Sequence, residues 1–187
     1  MGFLDAILGR SKPVRPDLDQ LFALPSAAVT LQAAAGFTPT GVGSVCFASV
    51  EGGAFSRIQE EARSLLDGSV EFTQDGYGYT WLLVRHAPDD VAGLVNDLHA
   101  VNTSLEEAGF GPQLLCSLLG FRDDRQRPLA LVYLYKRGTF YPFAPKPDGG
   151  EQRDNPLELQ VRAMLGDDLT VEQDLARWFP VWGAPGL

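Results

Sequence analysis

Two histidines, two cysteines and a scatter of aspartates are the residues with which this chain could do acid–base, nucleophilic or metal chemistry. Their spacing argues against all three. His86 follows an apolar run, and His99 sits beside Leu98 within a helical pattern. No His-x-x-x-His, Cys-x-x-Cys or Glu-x-x-His spacing is present, so the sequence supplies no metal-ligand set. Asp97 is two positions from His99 and would point from a different helix face. Cys46 lies in Val45-Cys46-Phe47 and Cys116 in Leu115-Cys116-Ser117, apolar surroundings that raise a thiol pKa and keep it inert. There is no Gly-x-Ser-x-Gly elbow for a serine nucleophile. Gly36 and Gly41 have the spacing of a phosphate loop, but Val42-Gly43 stands where the lysine and hydroxyl residue are required. Asp75, Asp89, Asp90, Asp123, Asp124, Asp167 and Asp168 fall in turns and helix starts, where capping accounts for them.

A denser group is Tyr133, Tyr135, Lys136, Arg137, Phe140, Tyr141 and Phe143. Alternating aromatics and bases can stack on single-stranded nucleic acid, guard an exposed strand end, or dock a protein. With 15 basic against 24 acidic residues the net charge is −9, which opposes a nucleic-acid footprint. The group is therefore expected to meet a protein partner. A second candidate contact is the N-terminal stretch. Phe3, Leu4, Ile7 and Leu8 would share one face of a short amphipathic helix, followed by Arg10, Lys12 and Arg15. Such a helix can lie on a membrane surface or on a partner. Neither a cofactor nor a metal is expected.

These residues must be held by elements that the hydrophobic pattern outlines. Asp17 can cap a short helix ending near Pro25, while Ser26–Ala35 fits helix or strand. A strand is expected over Ser44–Val50, a helix over Ala54–Asp67 stopped by Gly68, and strands over Val70–Gln74 and Tyr77–His86 joined at Asp75-Gly76. Val91, Leu94, Val95, Leu98, Val101 and Leu105 keep a helical period up to Gly109. Leu114–Phe121 and Leu129–Lys136 read as a hairpin, and Ala144–Asp154 as a loop. Asn155-Pro156 opens a helix closed by Gly166, and Thr170 with Gln173 predicts a capping box ahead of a last helix that Pro180 ends. Consecutive strands without intervening helices predict an α+β fold: an antiparallel sheet with helices packed on one side. The expected division is an amphipathic segment over 1–16 and one domain over 17–187 with C-terminal helices over 155–180. With 187 residues and 45% hydrophobic content, the chain is long enough for such a core. Two cysteines make no disulfide framework, and no apolar run approaches the roughly 20 residues that span a bilayer. No basic stretch followed by a long apolar run opens the chain, so a secretory leader is not expected.

Met1-Gly2-Phe3-Leu4-Asp5, Leu21-Phe22-Ala23-Leu24-Pro25-Ser26, Tyr77-Gly78-Tyr79-Thr80-Trp81, Leu134 through Phe143, and Trp178-Phe179-Pro180-Val181-Trp182-Gly183 occur in this order along nearly the whole chain. Together they resemble the bacterial family called phage-shock-protein-A-associated protein AB. The resemblance implies an intracellular, cytoplasmic accessory of the envelope-stress system built around phage shock protein A, and with the N-terminal segment read above, a peripheral position at the inner face of the membrane is expected. It also implies a phage shock protein A homologue as partner, and it transfers no catalytic residue. The order of elements is loosely similar to type III secretion chaperones, an analogy of architecture alone. The alternatives are an enzyme with a site near Arg85, His86 and the Tyr77–Trp81 strand, or a purely structural homodimer subunit.

Deleting residues 1–10 is expected to abolish liposome flotation while leaving far-UV circular dichroism unchanged. Flotation that persists in the truncated protein would refute the anchoring role.

Overall fold

Val45–Phe47, Trp81–Val84 and Leu129–Tyr133 are buried at every successive position, which requires strands covered on both faces. The computed structural model describes residues 16–66, 70–148 and 150–187. Phe3, Leu4, Ile7, Leu8 and Arg10, and the expected helix stop at Gly68, lie outside the described residues. The elements in chain order are α1 (Leu24–Ala35), β1 (Thr38–Ala48), α2 (Gly53–Leu65), β2 (Glu71–Gln74) and β3 (Tyr79–Arg85). They continue with α3 (Val91–Leu105), β4 (Leu114–Arg122), β5 (Pro128–Leu134), β6 (Thr139–Phe143) and α4 (Asn155–Leu165). The strands form one sheet in the order β2-β3-β1-β4-β5-β6, with every pairing antiparallel. The fold is α+β. No helix among the described residues is long and apolar enough to cross a membrane.

Helix α3 packs on one face of the sheet. A Cβ on Gly43 of β1 would meet the methyl groups of Leu98 and Leu94 at 3.0 and 3.2 Å, so the helix needs a bare backbone there. Buried Asn102 donates from Nδ2 to the Leu98 carbonyl (2.8 Å) and to Ser117 Oγ on β4 (2.9 Å). Helix α4 lies against β6 and α1. Among the described residues no helix packs on the opposite face. The last turn of chain crosses it: Ser44 Oγ donates to the Pro185 carbonyl (3.2 Å), Tyr141 Oη to the Phe179 carbonyl (2.6 Å), and Phe143 packs edge-on against Trp182 at 4.9 Å.

Five expectations are corrected, and the choice left open at Ser26–Ala35 is decided. Pro25 opens α1 rather than ending the helix before it, because the first turn has no partner for the missing N–H. Leu18–Ala23 is a 3-10 helix that Asp17 does not cap; its carboxylate takes a bond from Gln20 Nε2 instead. Ser26–Ala35 is helical, and Val29 is 69% exposed, so its alternation with Leu31 has no sheet behind it. Strand β1 starts at Thr38 instead of Ser44, passing through Gly41 at φ 80°, where the carbonyl accepts from the His86 N–H (2.8 Å). Thr139–Phe143, expected as a strand end, is a strand in its own right on the sheet edge, where Pro142 costs no ladder bond.

The fifth correction concerns the C-terminal helices. Past α4 there is only the 3-10 turn Leu175–Arg177, capped by Asp174 and not by Thr170. Phe140 N–H donates to the Thr170 carbonyl (2.9 Å) and Glu172 N–H to the Phe140 carbonyl (2.7 Å). Residues 170–172 thus run extended beside β6, and an extended backbone cannot begin the helix.

Close packing of the final residues on the sheet gives a direct test. A Cβ on Gly120 would lie 1.9 Å from the Gly186 carbonyl oxygen, a backbone atom that cannot rotate away. Gly120→Ala is expected to lower stability by about 1–3 kcal/mol, the usual cost of overpacking, and to speed amide exchange at Gly186 and Leu187. Unchanged exchange would show that the segment does not rest on β4.

Candidate functional site

Among the described residues helices cover one sheet face and a single stretch of chain crosses the other, so that part of the second face forms an open groove. Its floor is a row of opposed residues. Cys46 pairs with Cys116 and Cys116 with Leu134, across β1, β4 and β5, and the row continues beyond the groove to buried Trp81 on β3. Above this floor lies a cavity of about 630 Å3, lined from three directions of the chain. Tyr77 and Tyr79 come from the β2–β3 connection, Lys136 and Arg137 from the β5–β6 turn, and Arg177, Phe179, Pro180, Val181 and Trp182 from the C-terminal segment. The volume is in the range of small-molecule and peptide pockets. Tyr77 is 60% exposed, Tyr79 44% and Phe179 58%, unusual exposure for three aromatics that share one groove.

Two polar hubs hold these walls. Asp75 accepts from Trp81 Nε1 (2.9 Å) and from the N–H groups of Tyr77 (2.9 Å) and Tyr79 (3.0 Å). Burial raises its pKa, but the bonds from Trp81, Tyr79, Tyr77 and Gly78 outweigh it and hold the carboxyl below the usual range. Glu172, with a side chain only 3% exposed, takes a charge-assisted bond from Arg137 Nε and another from Thr139 Oγ1 (2.9 Å). It also accepts from the Asp174 N–H (3.1 Å), while its carbonyl accepts from Trp178 Nε1 (3.0 Å). Burial again works against the charge, and the same bonds prevail to keep Glu172 ionised. The β5–β6 turn and the C-terminal segment are therefore tied to one carboxylate.

Of the seven aromatic and basic residues singled out in the sequence, the fold brings three to the groove: Lys136, Arg137 and Tyr141. Lys136 is exposed and has no carboxylate partner among the described residues. Arg137 is half occupied by Glu172. Tyr141 is buried, stacked on Trp178 at 6.0 Å, and its phenol is pushed well above its ordinary pKa by burial. Tyr133, Phe140 and Phe143 are fully buried, and Tyr135 nearly so, bonded through its hydroxyl to Glu106. Tyr133 instead binds the Asp17 carbonyl (2.8 Å) from the helix side. The seven form no shared surface, because alternate positions on a strand face opposite ways. Sequence reasoning missed Tyr77, Tyr79, Arg177 and Phe179 as groove residues. Their signal was present in the same two aromatic motifs, but only the fold brings those motifs together.

The histidines lie elsewhere. His86 Nδ1 is 2.8 Å from Asp90 and Nε2 is 2.5 Å from Asp97, so both ring nitrogens are engaged and neither is free to take a substrate proton. Hydrogen bonding to Asp97, and then to Asp90, raises the His86 pKa against a smaller desolvation effect, and His86 in turn lowers Asp90. His99 Nε2 is 3.0 Å from Asp19, with its ring against Phe22 at 4.5 Å. Arg85 pairs with Glu71 (3.3 Å) on the exposed surface. No group of three or more His, Cys, Asp or Glu among the described residues could hold a metal ion.

A family model described as PspA associated protein B matches residues 1–186. No curated protein and no solved structure matches, so the analogy to secretion chaperones gains nothing from them.

Two outcomes follow from these contacts. Glu172→Ala is expected to cost about 3 kcal/mol in urea unfolding, the lower end for breaking a buried ion pair, since Arg137 keeps some access to water. A loss under about 0.5 kcal/mol, the level of an ordinary surface change, would remove Glu172 as the tie. For His86 the sign is opposite on its two sides. A raised histidine pKa stabilises fully below its ordinary value of 6.5 and fades as pH rises through the folded value; a lowered Asp90 pKa stabilises above 3.8 and fades as pH falls. The melting-temperature difference between wild type and His86→Gln should therefore be largest between pH 3.8 and 6.5 and shrink at alkaline pH. A difference independent of pH would discard the ionic reading.

Proposed function

The chain belongs to the PspA associated protein B family, and we propose that it is a non-enzymatic accessory of the phage-shock envelope-stress system that binds a protein partner in the groove. The partner is a phage shock protein A homologue. The observation that carries this reading is the groove itself: an apolar floor with exposed Tyr77, Tyr79 and Phe179, and an exposed Lys136 at its margin that pairs with no carboxylate among the described residues. Aromatics and bases of this kind are enriched at protein interfaces, and a few of them carry most of the binding energy. The reading places the protein in the cytoplasm. There the N-terminal Phe3, Leu4, Ile7, Leu8 and Arg10 would add a contact at the membrane or on the partner. The enzyme alternative loses ground because both nitrogens of His86 are committed to carboxylates.

Phe179 is the residue to remove, since its side chain is exposed while its backbone carbonyl keeps the bond from Tyr141. In titration calorimetry of the purified full chain against a purified phage shock protein A homologue, Phe179→Ala is expected to weaken binding about tenfold, equivalent to roughly 1.4 kcal/mol. Lys136→Glu should weaken it further at low salt. Equal affinity for wild type and both variants, or no binding by wild type, would overturn the groove as the docking site.

A further inference from the structure

The groove floor contains a chemical feature that the docking reading does not use. Cys46 and Cys116 are both free, and they are partners in the register between β1 and β4. Directly opposed residues of antiparallel strands have Cα atoms about 4.5–5.5 Å apart. Disulfides need about 4.4–6.8 Å, so the strand pairing already meets the backbone requirement. Both side chains line the cavity, and Cys116 is the more exposed of the two, at 8% against 3%. We propose that Cys46 and Cys116 form an oxidisable dithiol that closes to a cross-strand disulfide in the floor of the groove, using a small disulfide as oxidant.

The steps balance. The Cys116 thiolate attacks one sulfur of the oxidant, forming a mixed disulfide and expelling one small thiolate. Cys46, deprotonated in turn, attacks the Cys116 sulfur and expels the second. Two protein thiols are oxidised by two electrons, the small disulfide is reduced to two thiols, and those thiols carry away the two protons. A cavity of about 630 Å3 admits a compact reagent to the floor. The adjoining Cys116 thiol, burial and Asp75 all push Cys46 upward, which makes the closing attack by Cys46 slow at neutral pH and faster as pH rises. It is thus a site for sustained oxidising conditions rather than a rapid sensor. Closing the bond draws the two sulfurs together beneath whatever occupies the groove. That consequence rests on the groove being the docking site; formation of the bond does not.

The test treats the purified full chain, free of reductant and of any partner, with bis(2-hydroxyethyl) disulfide at pH 8. Three results are expected: loss of both titratable thiols, an intact mass lower by two hydrogens, and a proteolytic peptide pair joining Cys46 to Cys116 that dithiothreitol separates. Cys46→Ser should stop at the first step and keep one reagent adduct on Cys116. The wild-type peptide map stands whether or not that variant folds. Two unreacted thiols in the folded chain, adducts without a cross-link, or a disulfide joining two chains would each overturn the proposal. Because no partner is present, the result is independent of whether the groove docks one.

Discussion

A six-stranded sheet with apolar side chains on both faces must be covered twice, and among the described residues helices supply only one cover. The remainder of the structure follows from how the second face is closed. A single C-terminal stretch crosses it, resting on Gly120 and Ser44 in the middle of the sheet and on Tyr141 and Phe143 near the edge. Aromatic surface is buried there, Phe143 fully and Trp178 nearly so, and such burial favours the folded chain. A stretch this narrow cannot span six strands, so the row from Cys46 to Leu134 keeps an opening above it.

Holding that stretch in place falls to buried carboxylates rather than to helix packing. Glu172 binds the β5–β6 turn, and Glu158 binds Arg153 (2.9 Å) and the Ala144 N–H (2.9 Å). Arg153 continues to the Trp178 carbonyl and lies over the Phe143 ring at 5.1 Å. Burial raises Glu158 while the Arg153 bonds oppose it, a balance that breaks if either partner is removed. The groove walls are therefore positioned by charged groups that are themselves largely hidden. Lys136 pairs with no carboxylate among the described residues and stands exposed at the margin.

Legibility varied with how local the determining forces are. Helix α3 was readable because its apolar residues repeat at the helical period over fifteen positions, and Asp90 caps it through the Gly93 N–H (2.9 Å). The Asp75 turn was readable for the same reason, since an aspartate bonding its own following backbone needs no distant partner. Strand β6 was not, because Pro142 suppresses a strand reading unless the strand is known to lie on an edge. The last helix failed for a related reason: the capping box of Thr170 and Gln173 competes with pairing to Phe140, a residue some thirty positions away, and the pairing wins.

By itself the sequence determined the α+β class, the family, and the absence of any recognisable catalytic or metal-binding spacing, all of which depend on residue type and short-range pattern. Tertiary structure alone decided which aromatics are core and which are surface. Tyr133 and Tyr141 look alike in the sequence, yet pairing with opposite faces of the sheet sends one to the helix layer and the other beneath the C-terminal segment. It also decided that Tyr77, Lys136 and Phe179, from three separate stretches, meet around Cys46 and Cys116. A strand pattern specifies alternation but not which face will be covered, because that depends on where distant parts of the chain come to rest.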